Sequence, residues 1–192
     1  NRRRDLGLLI FPEPNPRAAT TAAPRRIAVR HAAQTEFPDP KKRFDCESLF
    51  VWGGAVHTFT KRRSDTWTVL CKLRMESATA GVFEPVAAFD SNGMVTDAAV
   101  SPDGRRLAVL TYHCLWMFEL PAAGAGTAAT TAAPQNPLAG GAVWYRRLKF
   151  PADNWQAEGL AFSDARHVLI ATEQGGLFTL DTATMTQVAG KK

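Results

Sequence analysis

The sequence predicts an all-β fold. Short apolar runs bounded by turn residues recur along the chain, as in VTDAAVSPDGRRLAVLTY at residues 95–112. Capped segments with helical periodicity are hard to find anywhere in the 192 residues. The hydrophobic content of 45% and the aromatic content of 9% are typical of a packed globular domain. We therefore expect a folded domain built from strands.

Three segments of the chain repeat one pattern. Each opens with an acidic residue, continues through a short apolar strand and a turn, and ends a second strand in threonine. A third strand follows, and fourth strands are predicted at 82–89 and 143–150. The acids and threonines of the three repeats are Glu47 with Thr60, Asp97 with Thr111, and Glu158 with Thr172. Four strands per unit at a spacing of roughly 50 to 60 residues predict the blades of a β-propeller.

The repeats divide the chain, residues 1–192, into one partial propeller domain with about three and a half four-stranded blades. The predicted blades are residues 45–90, residues 91–150 with a low-complexity insert at 121–141, and residues 151–192, which begin a fourth strand at TQVAGKK and are incomplete. The insert consists of small residues without an apolar stripe, so it is predicted to be a flexible surface loop.

Residues 1–44 are predicted to hold the end of a preceding blade plus a linker. LGLLIFPEP at 6–14 has the pattern of a third strand, and RRIAVRHA at 25–32 that of a fourth. A propeller closes with about four or more blades. We therefore expect missing sequence or another chain to supply the remaining blades.

Charge and motifs narrow the functional classes. The net charge of +5 is spread over short clusters, which favours solvated loops over a nucleic-acid surface. The three cysteines lack CxxC spacing and are predicted to be buried free thiols. No hydrolase, zinc-protease or phosphate-loop motif occurs, so we predict no catalytic and no cofactor-binding residue. No apolar run approaches the roughly 20 residues of a membrane span, and no transmembrane segment is predicted.

The acids that open the repeats are the candidate site. Innermost strands of a propeller surround its central channel, so Glu47, Asp97 and Glu158 are expected to converge on one axis. Converging carboxylates repel one another unless a cation or hydrogen-bond donors neutralise them, and an oxygen-rich site suits calcium. Two interpretations stay open. The acids bind a metal or polar ligand, or each acid caps its own blade by bonding backbone amides or a neighbouring threonine, which is the preferred reading.

The motifs DCESLFV, VTDAAVSPDGRRLAVLTY and AEGLAF resemble those of a group of bacterial β-propeller proteins of uncharacterised function. Members of this group are often exported, so the resemblance implies a periplasmic or secreted location. More distantly, the acid-led inner strands are similar to those of calcium-dependent six-bladed propellers such as gluconolactonases, paraoxonases and phytases. This similarity implies calcium at Glu47, Asp97 and Glu158. The chain lacks the asparagine ligands and the catalytic histidine pattern of those enzymes, which argues against their activities.

The sequence therefore predicts a binding or scaffold module for an unidentified protein or small-molecule ligand, with non-enzymatic function favoured. The alternative is a calcium-dependent hydrolase, similar to a lactonase, an esterase or a phytase, that uses the acids at the central channel. Binding of nucleic acid through the basic clusters is a third, less favoured class.

Overall fold

The computed structural model describes residues 3–18, 20, 22–121 and 136–188. Within these residues the chain forms strands and two short 3-10 turns, which confirms the all-β prediction. The strands are β1 (Gly7–Ile10), β2 (Arg25–His31), β3 (Phe50–Trp52), β4 (Ala55–Phe59), β5 (Trp67–Ser77), β6 (Ala80–Asp90), β7 (Val95–Val100), β8 (Arg106–Thr111), β9 (Cys114–Glu119), β10 (Val143–Arg147), β11 (Ala157–Phe162), β12 (His167–Thr172), β13 (Leu177–Asp181) and β14 (Thr186–Val188).

The strands form three sheets. The first has the order β1-β2-β6-β5-β4-β3, the second β14-β10-β9-β8-β7 and the third β11-β12-β13. The sheets are curled and do not close on themselves. The edge strands β3, β7 and β11, which we call the first strands of the three sheets, lie side by side, because β7 contacts both β3 and β11. Neither 3-10 turn is long or apolar enough to span a membrane.

The second sheet lies between the other two and is buried on both faces. Along β8, Leu107 and Val109 pack into a core shared with the first sheet, which contributes Phe50, Phe59 and Leu70. The alternate residues of the same strand, Ala108 and Leu110, pack into a second core shared with the third sheet. Side chains of a strand alternate between faces, so a strand that is apolar throughout can fill two cores at once.

The repeat threonines make the same hydrogen bond in each sheet. The hydroxyl of Thr60 accepts from the Val69 amide at 2.9 Å. The corresponding bonds run from the Cys114 amide to Thr111 at 3.0 Å and from the Gly176 amide to Thr172 at 3.1 Å. Each bond closes the connection between the second and third strands of its repeat. The common register read from the sequence therefore corresponds to a common local structure.

The SPDG segment forms the predicted tight turn between β7 and β8. The Asp103 carboxylate accepts from the Ser101 hydroxyl at 2.6 Å and from the Arg105 amide at 3.1 Å. Gly104 has a φ of 71°, a left-handed conformation that glycine adopts without steric cost. Asp103 thus serves the turn, as expected.

The N-terminal strands differ from the expectation for residues 1–44. They do not form a separate preceding blade in this structure, because β2 pairs in parallel with β6 and β1 pairs with β2, which extends the first sheet. The physical reason is burial. Ile27 and Val29 pack against Cys71, Leu73 and Phe83 at the outer end of that sheet.

The C-terminal strand also differs from the expectation. Residues 186–188 do form a strand, but β14 pairs with β10 of the second sheet and not with β13 of the third. The 3-10 turn at Thr182–Thr184 redirects the chain, and the next residue, Met185, is buried in the second core. The third sheet therefore ends at β13. Most of the insert predicted at 121–141 lies outside the described residues.

The two-sided burial of β8 predicts that both faces matter equally for stability. Leu107→Ala and Leu110→Ala each remove a fully buried side chain, one from each core, and each should lower the free energy of unfolding by about 2–5 kcal/mol in urea titrations. Leu177→Ala, at a side chain that is 69% exposed, should change it by less than about 0.5 kcal/mol. A negligible loss for either buried leucine would contradict the stacked arrangement.

Candidate functional site

Two of the three predicted site acids meet at one lysine. Glu47 lies in the segment that leads into β3 of the first sheet, and its carboxylate Oε2 forms an ion pair with Lys61 Nζ. Glu158, on β11 of the third sheet, places Oε1 at 3.8 Å from the same Nζ atom. We call Glu47, Lys61, Tyr112 and Glu158 the axial cluster. It links all three sheets at the end where their first strands lie together.

Lys61 is the centre of the axial cluster. Its side chain is only 2% exposed, and Nζ lies 4.6 Å from the ring centroid of Tyr112, within the range of a cation–π contact. Burial by itself would lower the pKa of Lys61. The hydrogen bonds to Glu47 and Tyr112 and the negative charge of Glu158 outweigh burial, so the pKa is raised. Lys61 is therefore a buried ammonium group at neutral pH.

The surroundings of Glu158 favour its protonated form. Its partial burial raises its pKa, the charge of Lys61 opposes this effect, and the nearby carboxylates of Glu47 and Glu173 raise it further. Two carboxylates thus share one ammonium group, with a third carboxylate in electrostatic range. The cluster carries an excess of negative charge when its acids are ionised.

Asp97 has a different role from the other two acids. Its Oδ2 accepts from the Leu160 amide of β11 at 2.7 Å, and its Oδ1 accepts from its neighbour's amide, Ala98 N, at 2.8 Å. The adjacent Thr96 hydroxyl donates to the Ala157 carbonyl at 2.8 Å. These bonds fasten β7 of the second sheet to β11 of the third. Asp97 thus accepts from one backbone amide of its own sheet and from one of the neighbouring sheet.

The charge pattern predicts solvated loops for the short basic clusters, which include residues 61–63, but Lys61 is buried. Its position relative to the repeat threonines could have indicated this. Lys61, Tyr112 and Glu173 each directly follow a repeat threonine. The amides of Lys61 and Glu173 donate to the carbonyls of Asp45 and Gln156, each two residues before a repeat acid. Equivalent positions therefore supply a cation, an aromatic ring and an acid to one place.

Two of the acids predicted to bind a metal ion, Glu47 and Glu158, have Lys61 as their positively charged partner. Among the residues that the structure describes, no group of three or more His, Cys, Asp and Glu side chains is arranged to hold a metal ion. Lys61 supplies the positive charge that converging carboxylates require. Binding of calcium by Glu47, Asp97 and Glu158 stays a prediction.

An open cleft of about 460 Å³ adjoins the axial cluster and shares Tyr112 with it. Its walls come from residues 62–66, 92–94 and 111–113. The arginines of the first segment are engaged, Arg62 with Asp65 at 2.6 Å and Arg63 with Asp45 at 3.0 Å. The two arginine side chains of the cleft are therefore already held by ion pairs.

The cysteines are free, as predicted, and two of them have suppressed reactivity. Burial raises the pKa of both Cys46 and Cys71 to about 12. Cys46 Sγ lies 3.6 Å from His31 Nε2, but burial lowers the pKa of this histidine to about 4. The pair is a neutral thiol beside a neutral imidazole. A nucleophilic cysteine needs a thiolate, so this pair has no activated nucleophile.

No protein-family model matches this chain, and no curated protein matches its sequence. Among solved structures, the chain is similar to a functionally unknown protein from Desulfotomaculum acetoxidans, at 13% sequence identity and a TM-score of 0.33. The alignment covers 77% of this chain and 47% of the other, so this chain spans about half the length of that protein.

Replacing Lys61 tests the electrostatic balance of the axial cluster. Lys61→Met leaves Glu47 and Glu158 partly buried without their cation, and should lower the free energy of unfolding at pH 7 by about 2 kcal/mol. Without the cation, the pKa of Glu158 in the folded state rises further above its unfolded value, because Lys61 no longer opposes the effect of burial. The loss is therefore largest at neutral pH and shrinks as the pH falls to about 4. Urea titrations at both pH values measure it.

Two further variants serve as controls for this prediction. Lys149→Met removes an exposed lysine elsewhere and should change stability by less than about 0.5 kcal/mol at either pH. Adding Glu158→Gln to Lys61→Met should restore part of the loss, because one unpaired carboxylate is then removed. A loss that is independent of pH would contradict the ionic role of Lys61.

Proposed function

We propose that this chain is part of a β-propeller that acts as a non-enzymatic binding or scaffold module. The observation that carries the proposal is the position of the axial cluster beside an open cleft of about 460 Å³, at the end where the first strands of three stacked sheets lie together. Ligand sites in proteins are commonly concave, with a few fixed polar groups in an otherwise preformed pocket.

The arrangement of the sheets supports the propeller part of the proposal. A blade packs both of its faces against neighbouring blades, as the second sheet does here. The threonine bonds repeat in the same register in each sheet. The strand β7 contacts both β3 and β11. In a propeller, the inner strand of each blade likewise lies next to the inner strands of the two neighbouring blades.

The state of Lys61 favours binding over catalysis. A lysine acts as a nucleophile or general base only when it loses its proton. Here the contacts to Glu47 and Tyr112 raise its pKa, so the amine has no free lone pair at neutral pH. The neutral Cys46–His31 pair likewise has no activated thiolate. A fixed set of charges remains, which is suited to recognising a polar ligand.

Pairing within the chain also argues against a nucleic-acid surface at 61–63. Lys61 is buried with Glu47, Arg62 pairs with Asp65, and Arg63 pairs with Asp45. Phosphate binding depends on cationic side chains that exchange counterions for phosphates. Cations that are already neutralised by carboxylates contribute little to such binding.

A compound that binds the cleft should be detectable by its local effect. In a thermal-shift screen of small polar molecules, we expect a hit to slow amide exchange in two loops of the cleft, at 62–66 and 92–94. His113→Ala, which removes a cleft wall, should weaken its affinity by about tenfold, or about 1.4 kcal/mol. His167→Ala, at a histidine outside the cleft, should leave the affinity unchanged. Hits that bind both variants equally and protect neither loop would contradict the cleft as the ligand site.

The second candidate is the calcium-dependent hydrolase. The observation in its favour is the pair of carboxylates, Glu47 and Glu158, close enough to raise the pKa of Glu158. Carboxylate oxygens are the ligands that calcium prefers, and a bound cation would displace or supplement the charge of Lys61.

Calcium titration separates the two candidates. The hydrolase predicts that calcium raises the melting temperature, and that Glu47→Gln with Glu158→Gln removes the increase. It also predicts turnover on a panel of esters, lactones and phosphoesters. The binding module predicts no calcium-dependent increase and no turnover. Glu84→Gln with Glu119→Gln, at two exposed or partly exposed acids elsewhere, is the matched control for lost negative charge.

A further inference from the structure

The third sheet has an open edge. Its order is β11-β12-β13, and within the described residues no strand pairs with the outer side of β13. The chain continues through the 3-10 turn to β14, which joins the second sheet. A sheet edge presents unpaired N–H and C=O groups that can pair with a further strand.

The register identifies the backbone groups on this edge. Backbone bonds join Thr172 N to Gly176 O and Thr182 N to Arg166 O. Hydrogen-bonded and non-hydrogen-bonded pairs alternate along an antiparallel ladder. Phe178 and Leu180 therefore pair with β12, and the backbone groups of Leu177 and Thr179 point outward. Both residues are exposed.

A cleft of about 610 Å³ runs beside this edge. One wall is formed by Phe178, Thr179 and Leu180 of β13, and the other by residues 145–150 at the end of the second sheet. Inside it, the rings of Phe150 and Phe178 lie 5.4 Å apart between centroids. The cleft thus combines an open strand edge with an apolar surface.

The charge of the cleft is positive. Arg147 and Lys149 are exposed on its wall, and within the described part of the chain neither of them takes part in an ion pair. Arg146 donates to the carbonyl of Thr184 at 2.9 Å. The acid of the lining, Asp181, is already neutralised by Arg166 through two hydrogen bonds, of 2.8 and 2.5 Å.

We propose that the open edge of β13 binds an extended peptide segment that is acidic and has apolar residues at alternate positions, adding it as a fourth strand of the third sheet. The outward groups of Leu177 and Thr179 include donors and acceptors, which a backbone satisfies and a phosphate group, an acceptor, does not. Acidic side chains on one face of the segment meet Arg147 and Lys149. Apolar side chains on the other face contact Phe150 and Phe178. Main-chain bonds supply affinity and alternate side chains supply selectivity in this mode of recognition.

The probe is a fluorescein-labelled peptide that alternates valine with glutamate, and its control alternates valine with lysine. We expect the acidic peptide to bind in fluorescence anisotropy, with an affinity that falls as salt rises, and the basic peptide not to bind. Binding should also slow amide exchange at Leu177 and Thr179, because these amides gain a partner. Equal binding of both peptides, or unchanged exchange at these amides, would overturn the proposal.

Two variants separate the backbone contribution from the charge contribution. Thr179→Pro removes an outward N–H without removing a bond to β12, and should weaken binding of the acidic peptide by about fivefold or more, whereas Thr179→Val should not. Arg147→Gln with Lys149→Gln should weaken it by about fivefold and reduce its salt dependence. The same charge change at exposed positions elsewhere, Arg17→Gln with Arg105→Gln, is the control. Melting curves establish that each variant is folded.

Inorganic pyrophosphate distinguishes strand addition from anion binding. If pyrophosphate displaces the peptide completely and Thr179→Pro binds as well as the parent chain, the cleft is an anion site and the strand proposal fails. If Thr179→Pro does not fold, the charge variant and the amide exchange at Leu177 still decide the outcome. The cleft beside this edge shares no lining residue with the 460 Å³ cleft of the proposed function. A failure to bind the peptide would therefore leave the proposed function standing.

Discussion

Burial of the second sheet on both faces is the constraint on which the rest of the structure depends. In β8, odd-numbered residues from Leu107 fill one core and even-numbered residues fill the other. A register slip of one residue would exchange the two sets of side chains, so the pairing of this strand is strongly specified. The first and third sheets are each positioned against a fixed apolar surface. Their polar ends then meet at a defined place.

The axial cluster is a product of this stacking. Lys61 comes from the first sheet, Tyr112 from the second and Glu158 from the third, so the contacts among them exist only when all three sheets are docked. Ion pairs that are removed from water gain little net stability, since desolvation offsets most of the attraction. The more important effect is that the ion pairs favour the correct docking of the sheets over incorrect ones. A misdocked sheet would leave an ammonium or a carboxylate in a dry environment without its partner.

The sequence contained enough information for most strand positions and for the SPDG turn. Alternation of apolar residues and the SPDG turn are local features, so they can be predicted without knowing which strands pair with one another. The strands that pair with β2 and β14 were not predicted, because a local pattern identifies a strand but not its neighbour. Lys61 was missed for the same reason. Its burial is created by Glu47, Tyr112 and Glu158, which are distant in sequence, and a charge run beside a turn is usually solvated.

The parallel pair of β2 and β6 has a consequence for biosynthesis. The hairpin of β1 and β2 leaves the ribosome well before β6 has been made, and a two-stranded hairpin alone is marginally stable at best. Until Leu73 and Phe83 are available, Ile27 and Val29 lack the buried apolar residues that they pack against in the folded chain. The segment of β1 and β2 is thus made well before it is secured. A nascent chain that stalls before β6 would present an uncovered, strand-forming segment to chaperones and to other nascent chains.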